Sequence, residues 1–134
     1  MDTKVNYIDV AVGVILRDQK TYVCLRPTDK HQGGKWEFPG GKIEAGEAAE
    51  LALARELMEE VAITVTQAQP LTTIEHDYGD KCVRLFVFAV TGFDGEPTGA
   101  EGQSGKWLPL ADIDIADFPA ANREIIEQLR TTFR

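Results

Sequence analysis

The segment Gly40-Gly41-Lys42-Ile43-Glu44-Ala45-Gly46-Glu47-Ala48-Ala49-Glu50-Leu51-Ala52-Leu53-Ala54-Arg55-Glu56-Leu57-Met58-Glu59-Glu60-Val61-Ala62-Ile63 joins a glycine-rich turn to a run that crowds carboxylates on one side. Ala48 to Glu60 is rich in Ala, Leu and Glu and free of Gly and Pro, which predicts a helix. Glu56, Glu59 and Glu60 stand at i, i+3 and i+4 and so share a side, with the small Ala49 and Ala52 leaving space beside them. Leu51, Leu53, Ala54, Leu57, Met58 and Val61 form a broad side expected to face the core. Like charges at those spacings cost roughly 0.2–0.5 kcal/mol per pair. An oxygen-seeking cation such as Mg²⁺ would offset that cost. A solvated glutamate face is the plainer account of an isolated Arg-Glu-x-x-Glu-Glu, but here glycines lead into the helix at fixed spacing.

Working outward, Val5 to Leu16 reads as a strand, Asp18-Gln19-Lys20 as a turn and Thr21 to Leu25 as its return strand. Residues 27–46 hold Pro27, Gly33-Gly34, Pro39-Gly40-Gly41 and Gly46 and read as irregular. After the helix, Ile63 to Thr66, Leu71 to Ile74 and Val83 to Val90 read as strands, the last apolar enough to be buried on both faces. Gly92 to Gly105 is a second long polar loop, Lys106 to Leu110 a short strand, and a final helix follows Pro119 to about Thr132. Strands flanking one helix and closed by another predict an α/β layered domain. Loops as long as these two are usually functional.

The chain has 134 residues, which argues for one domain over residues 1–134, and its 43% hydrophobic and 27% charged residues are those of a globular protein. Its net charge of −8 speaks against a basic groove for a nucleic-acid polymer. The longest apolar run, Val10 to Leu16, is far too short to span a bilayer, and Met1-Asp2-Thr3-Lys4 lacks a secretory start. Cys24 and Cys82 lie in apolar runs without metal spacing and read as small core residues in a reducing compartment. A cytoplasmic protein without membrane partners is expected.

From Gly41 the pattern is Gly, five residues, Glu47, seven residues, Arg55-Glu56-Leu57, one residue, Glu59-Glu60, then Val61-Ala62-Ile63. It resembles the Nudix box, G-x5-E-x7-R-E-U-x-E-E-x-G-U with U aliphatic, over residues 41–63. Eight of its nine specified positions match. The six charged and glycine identities arise by chance at on the order of 10⁻⁷ per register. Ala62 stands where the box has glycine. A glycine just past a helix often caps it in a left-handed conformation, which costs alanine about 1 kcal/mol. Within the family the chain is similar to the MutT type, through Trp36-Glu37-Phe38-Pro39-Gly40-Gly41-Lys42-Ile43-Glu44, Glu101-Gly102-Gln103 with Gly105-Lys106-Trp107, and Asp117-Phe118-Pro119-Ala120-Ala121-Asn122.

That resemblance implies an α/β/α fold, a mixed β-sheet sandwiched between α-helices. It implies a hydrolase that needs Mg²⁺, with Mn²⁺ as substitute, and that converts the nucleoside triphosphate 8-oxo-dGTP to 8-oxo-dGMP and pyrophosphate by attack at the β-phosphorus. Glu56, Glu59, Glu60, Glu101 and the carbonyl of Gly40 match metal ligands. Arg55 and Glu47 match the box positions that orient the catalytic glutamates and hold the loop to the helix. The base is Glu56 by first choice and Glu101 by second, because residue type does not separate a base from a ligand among glutamates. Asn122 matches a base-reading residue. Its amide pairs acceptor and donor against the O6 and N7–H of 8-oxoguanine, whereas ordinary guanine offers two acceptors there. Phe38, Arg26, Lys42 and His31 match further positions near the nucleotide. A monomer is expected. The same chemistry on CTP or a modified dCTP is the alternative, with Asn122 and its flanks as discriminators. A Nudix binding module without catalysis is remote, because every glutamate of Arg-Glu-x-x-Glu-Glu is retained.

Overall fold

The β-branched stretch after Asn6 forms β1 (Tyr7–Arg17), which returns as β2 (Lys20–Leu25) through a two-residue turn. Asp18 and Gln19 both have positive φ, 52° and 63°, the twist that a tight antiparallel hairpin requires. A computed structural model describes residues 6–29 and 33–132, so Val5 and His31 lie outside the described residues. The stretch expected to be irregular contains two very short strands, β3 (Trp36–Glu37) and β4 (Gly40–Lys42). Helix α1 (Ala49–Val61) follows within a residue of expectation. The two separate strands expected after it are a single one, β5 (Thr64–Asp77), which runs through Pro70. Pro70 is tolerated because β5 ends the sheet order, pairs with β6 (Cys82–Asp94), and shifts register next to the proline. Strand β6 carries on past Gly92, so the second loop begins only near Gly95. β7 (Gly105–Pro109) comes next, then a 3₁₀ turn over Ala120–Asn122 that leads into α2 (Arg123–Thr132).

The sheet runs β3-β2-β1-β6-β5, with β4 added to β1 and β7 to β2. β1 and β6 are parallel from Tyr7↔Cys82 to Ile15↔Val90, and their neighbours are antiparallel, giving a mixed sheet. Strand pleating sends alternate residues to opposite faces. Ala11 and Ile15 join Leu53, Leu57 and Val61 of α1 on one face, whereas Val12 and Val14 join Ile125, Ile126 and Leu129 of α2 on the other. The α/β/α sandwich follows. Val87 to Val90 are buried between β1 and β5, as their apolar run predicts. Among the described residues no helix is long and apolar enough to cross a membrane.

Helix α1 buries Leu53, Leu57 and Val61 as expected but not the whole of the expected side. Leu51 is 66% exposed and Met58 47%, while Ala52 and Glu60 are buried. The helix is rolled so that its apolar stripe centres on Leu53, Leu57 and Val61 and extends under the glutamates, leaving Leu51 and Met58 on the solvent side. Its end follows expectation. Ala62 is left-handed at φ 62°, ψ 35°, and its N–H reaches the Met58 carbonyl at 3.1 Å. Ala62→Gly should raise the free energy of unfolding by about 0.5–1 kcal/mol, read as a higher urea midpoint at unchanged slope. A lower midpoint would contradict the strain assigned to this cap.

Candidate active site

The roll of α1 turns Glu56 and Glu60 toward β4. Arg55 organises this end of the helix. Its Nε and Nη2 donate to the two Glu47 oxygens, each at 2.9 Å, its Nη1 donates to Glu56 Oε1 at 2.8 Å, and Nη2 also donates to the Lys42 carbonyl at 3.1 Å. Glu47 accepts in addition from the Glu44 amide at 3.0 Å. Arg55, first, and that amide hold the Glu47 carboxyl down to about 2. One guanidinium therefore ties the loop before α1 to the helix and to Glu56. Gly41 leaves room for the Glu56 carboxylate, which a Cβ at that position would displace from its place.

Glu56 opens on a cavity of about 530 Å³ whose walls also include Gly40, Glu60 and Glu101. That volume suits a small-molecule ligand. Glu60 is 9% exposed, and its Oε2 accepts from the Gly40 amide at 3.1 Å. Burial, against that hydrogen bond and with the negative charges of Glu37, Glu101 and Glu56 nearby, pushes its carboxyl up to about 8. Glu37 lies on the same wall and pairs with Arg26 at 2.7 Å; burial raises its carboxyl and Arg26 opposes the rise.

The other end of the cavity is apolar. Phe38 is buried and stacks on Phe118 at 5.3 Å between ring centres, so it serves core and cavity wall at once. Asn122 lines this end and is only 9% exposed, and among the described residues its side-chain amide makes no hydrogen bond. The amide atoms themselves are not sealed off, since among the described residues the buried side-chain polar atom without a partner is Thr21 Oγ1; the Asn122 amide faces the open cavity, where a ligand edge can reach it. The Tyr78 hydroxyl accepts from the Ala121 amide at 3.0 Å and steadies the turn that carries Asn122.

The structure thus gathers Gly40, Glu56, Glu60, Glu101, Asn122, Phe38, Arg26 and Lys42 around one cavity. Arg55 and Glu47 stand behind the wall as braces. Glu59 is not drawn in: its side chain is 52% exposed and lies 3.6 Å from Arg55, on the outer flank of the helix. His31 lies outside the described residues. Lys81 reaches the wall, whereas Arg84 pairs with Asp9 at 2.9 Å. Sequence reasoning did not single out Glu37, Tyr78 or Gln103. Glu37 and Gln103 sit beside motif residues and carried that much signal. Tyr78 carried none, because only the folded β5–β6 hairpin brings it to Ala121.

The donors at the acidic end are all oxygens, the set that hard divalent cations prefer. Glu60, held in its protonated form by burial and by the charges of Glu37, Glu101 and Glu56 around it, marks a partly buried oxygen wall that fits such a cation. Among the described residues no three acidic, histidine or cysteine side chains converge closely enough to hold an ion as they stand. Glu56 leans on Arg55 and Glu60 on the Gly40 amide, so each carboxylate already answers a protein donor. The raised Glu60 carboxyl has a consequence for stability without metal. Between its ordinary value of 4.5 and about 8 the folded chain keeps a proton that the unfolded chain has lost. Stability in EDTA should therefore fall as pH rises through that window. Glu60→Gln should flatten the fall and raise the unfolding free energy near pH 8 by at least about 1 kcal/mol. Urea unfolding at about pH 5 and pH 8 decides it, and a variant no more stable than its parent near pH 8 would contradict the assignment.

An α/β/α sandwich with an acidic cavity beside a glutamate-bearing helix is the arrangement that the resemblance to the Nudix box led one to expect. The NUDIX domain matches residues 11–128, and the chain belongs to that family, as a Nudix hydrolase. It is 40% identical over 124 residues to the 8-oxo-dGTP diphosphatase of Escherichia coli K12, covering 92% of this chain and 96% of that one. It is 34% identical over 116 residues to the CTP pyrophosphohydrolase of the same organism, covering 81% and 86%. A structure solved in work on MutT from Aliivibrio salmonicida and Vibrio cholerae is 40% identical, with a TM-score of 0.82 over 96% of this chain and 100% of that one. Nudix hydrolases are generally dependent on divalent metal.

Proposed function

We propose that this chain is a nucleoside triphosphate pyrophosphohydrolase that converts 8-oxo-dGTP to 8-oxo-dGMP and pyrophosphate, with Mg²⁺ as its metal and Mn²⁺ as a substitute. The observation that carries the substrate is Asn122: a largely buried residue whose amide makes no hydrogen bond among the described residues and faces a cavity that also carries acidic side chains. Its carbonyl accepts from N7–H of the oxidised base while its N–H donates to O6. Ordinary guanine sets acceptor against acceptor at one of those positions. The curated relative at 40% identity that carries the name 8-oxo-dGTP diphosphatase supports the same substrate.

In this reading Glu56, Glu60, Glu101 and the Gly40 carbonyl hold the cations, with Glu59 joining from the outer flank. When bound, the metal would neutralise phosphate charge, polarise the attacked phosphorus and acidify water. Arg55 orients Glu56 through Oε1, and Oε2 carries no hydrogen bond among the described residues, leaving it to take the proton of the attacking water. Glu101 is the second choice for that base. Attack at the β-phosphorus breaks its bond to the α–β bridging oxygen and leaves the monophosphate. Phe38 walls the base, with Arg26, Lys42 and His31 as further residues of the nucleotide site. The enzyme acts as a cytoplasmic monomer, one domain over residues 1–134, without membrane or nucleic-acid polymer.

CTP or a modified dCTP is the second reading. Cytosine also offers an acceptor, N3, beside a donor, N4–H, and so fits the same amide, and one relative at 34% identity is a CTP pyrophosphohydrolase. Comparing kcat/KM on 8-oxo-dGTP, dGTP, CTP and dCTP derivatives, with pyrophosphate scored against phosphate, separates the two. Near-equal values for 8-oxo-dGTP and dGTP would overturn the Asn122 argument.

A further inference from the structure

The loop from Gly95 to Ser104 must bring Glu101 to the cavity, and its attachment to α1 is visible bond by bond. A helix leaves its last carbonyls without partners inside the helix. Thr98 N–H donates to the Val61 carbonyl and Ala100 N–H to the Glu60 carbonyl, each at 3.0 Å. These bonds fix the loop as far as Ala100. Glu101 then sits in a tight turn closed by the Gly102 amide on the Gly99 carbonyl, with Gly102 at φ +88°. Glu101 is solvent-exposed, and the turn by itself does not aim it.

Gln103 supplies the missing tie. Its Nε2 donates to the Glu60 carbonyl at 3.0 Å and lies 3.9 Å from Cys24 Sγ, while its Oε1 accepts from the Glu101 amide at 3.0 Å. One carboxamide thus spans the backbones of two residues whose carboxylates share the cavity wall. The task needs a donor and an acceptor on one flexible stem, which Glu, Lys and Met do not combine.

We infer that Gln103 is a positioning residue that sets Glu101 against Glu60 and thereby sets the affinity for divalent cations. The inference rests on the reading above, in which those two carboxylates ligate metal. Partners one step removed from a metal site typically change its affinity by roughly 10–100-fold when lost.

The test is a titration of the full chain with Mn²⁺, with free ion followed by electron paramagnetic resonance. Gln103→Met, of similar length but without donor or strong acceptor, is expected to weaken Mn²⁺ binding by roughly 10–100-fold. KM for the nucleotide at saturating Mg²⁺ is expected to stay within about threefold of the parent. Gln103→Asn keeps the amide on a stem too short to span both partners, and should weaken binding in the same direction; it serves if the Met variant does not fold. A folded variant that binds Mn²⁺ within about twofold of the parent overturns the inference, as does a loss confined to nucleotide KM. Failure of the parent to bind Mn²⁺ overturns the metal-site reading and this inference together. Normal binding by the parent with unchanged binding in both variants overturns only the role of Gln103.

Discussion

Replacing Glu56 by Gln is expected to lower kcat by roughly 10²–10⁴-fold while the chain stays folded. The size of the effect follows from the double commitment of this side chain. It faces the cavity with Glu60 and Glu101, and Arg55, itself anchored on Glu47, holds it in a fixed orientation. A glutamine of the same shape keeps an oxygen for Arg55 Nη1 but has neither the charge to attract a cation nor the basicity to accept a proton. The fold should survive, because Arg55 keeps its paired bonds to Glu47 and its bond to the Lys42 carbonyl. Steady-state turnover with Mg²⁺, alongside a thermal melt, decides the matter. An intact rate in the variant, or no metal-dependent turnover in the parent, would sink the catalytic reading. Removing divalent metal with EDTA should abolish activity in the parent for the same reason.

Asn122→Ala carries the second large effect, and it falls on selectivity. The ratio of kcat/KM for 8-oxo-dGTP over dGTP should drop on the order of 10²-fold, with turnover of dGTP changing much less. In the parent, the ordinary base leaves one buried acceptor facing another, a mismatch that alanine removes along with the favourable pairing. Stability should change little, since the Asn122 backbone amide still donates to the Pro119 carbonyl at 2.9 Å and the Tyr78 hydroxyl still holds Ala121. Equal losses on both nucleotides would assign Asn122 to packing and leave the source of discrimination elsewhere on the cavity wall.

Much of this site was legible before any fold was known, for a local reason. Glu47, Arg55, Glu56 and Glu60 sit on or beside one helix, so spacing alone places them relative to one another. The left-handed cap at Ala62 was legible too, because backbone conformation just past a helix depends on near neighbours. Pro70 shows where local reading fails. A proline inside an apolar pattern argues for a break, but as part of an edge strand β5 runs through it.

Taken alone, the sequence pointed to the class of chemistry through its resemblance to the Nudix box, carried by residue types at fixed intervals along a helix and a turn. The order of strands and helices pointed to an α/β layered domain, and the resemblance to a mixed sheet covered on both faces. Only the tertiary structure decided how far α1 rolls, and hence that Glu60 is buried and raised while Glu59 stays in solvent. Only it joined Asn122, Tyr78 and Phe38 to the acidic end, and Gln103 to both Glu60 and Glu101. The physical reason is range. Periodicity governs neighbours within a turn of helix or a step of strand, whereas burial, charge repulsion and cavity walls are summed over elements that meet only after the chain has packed.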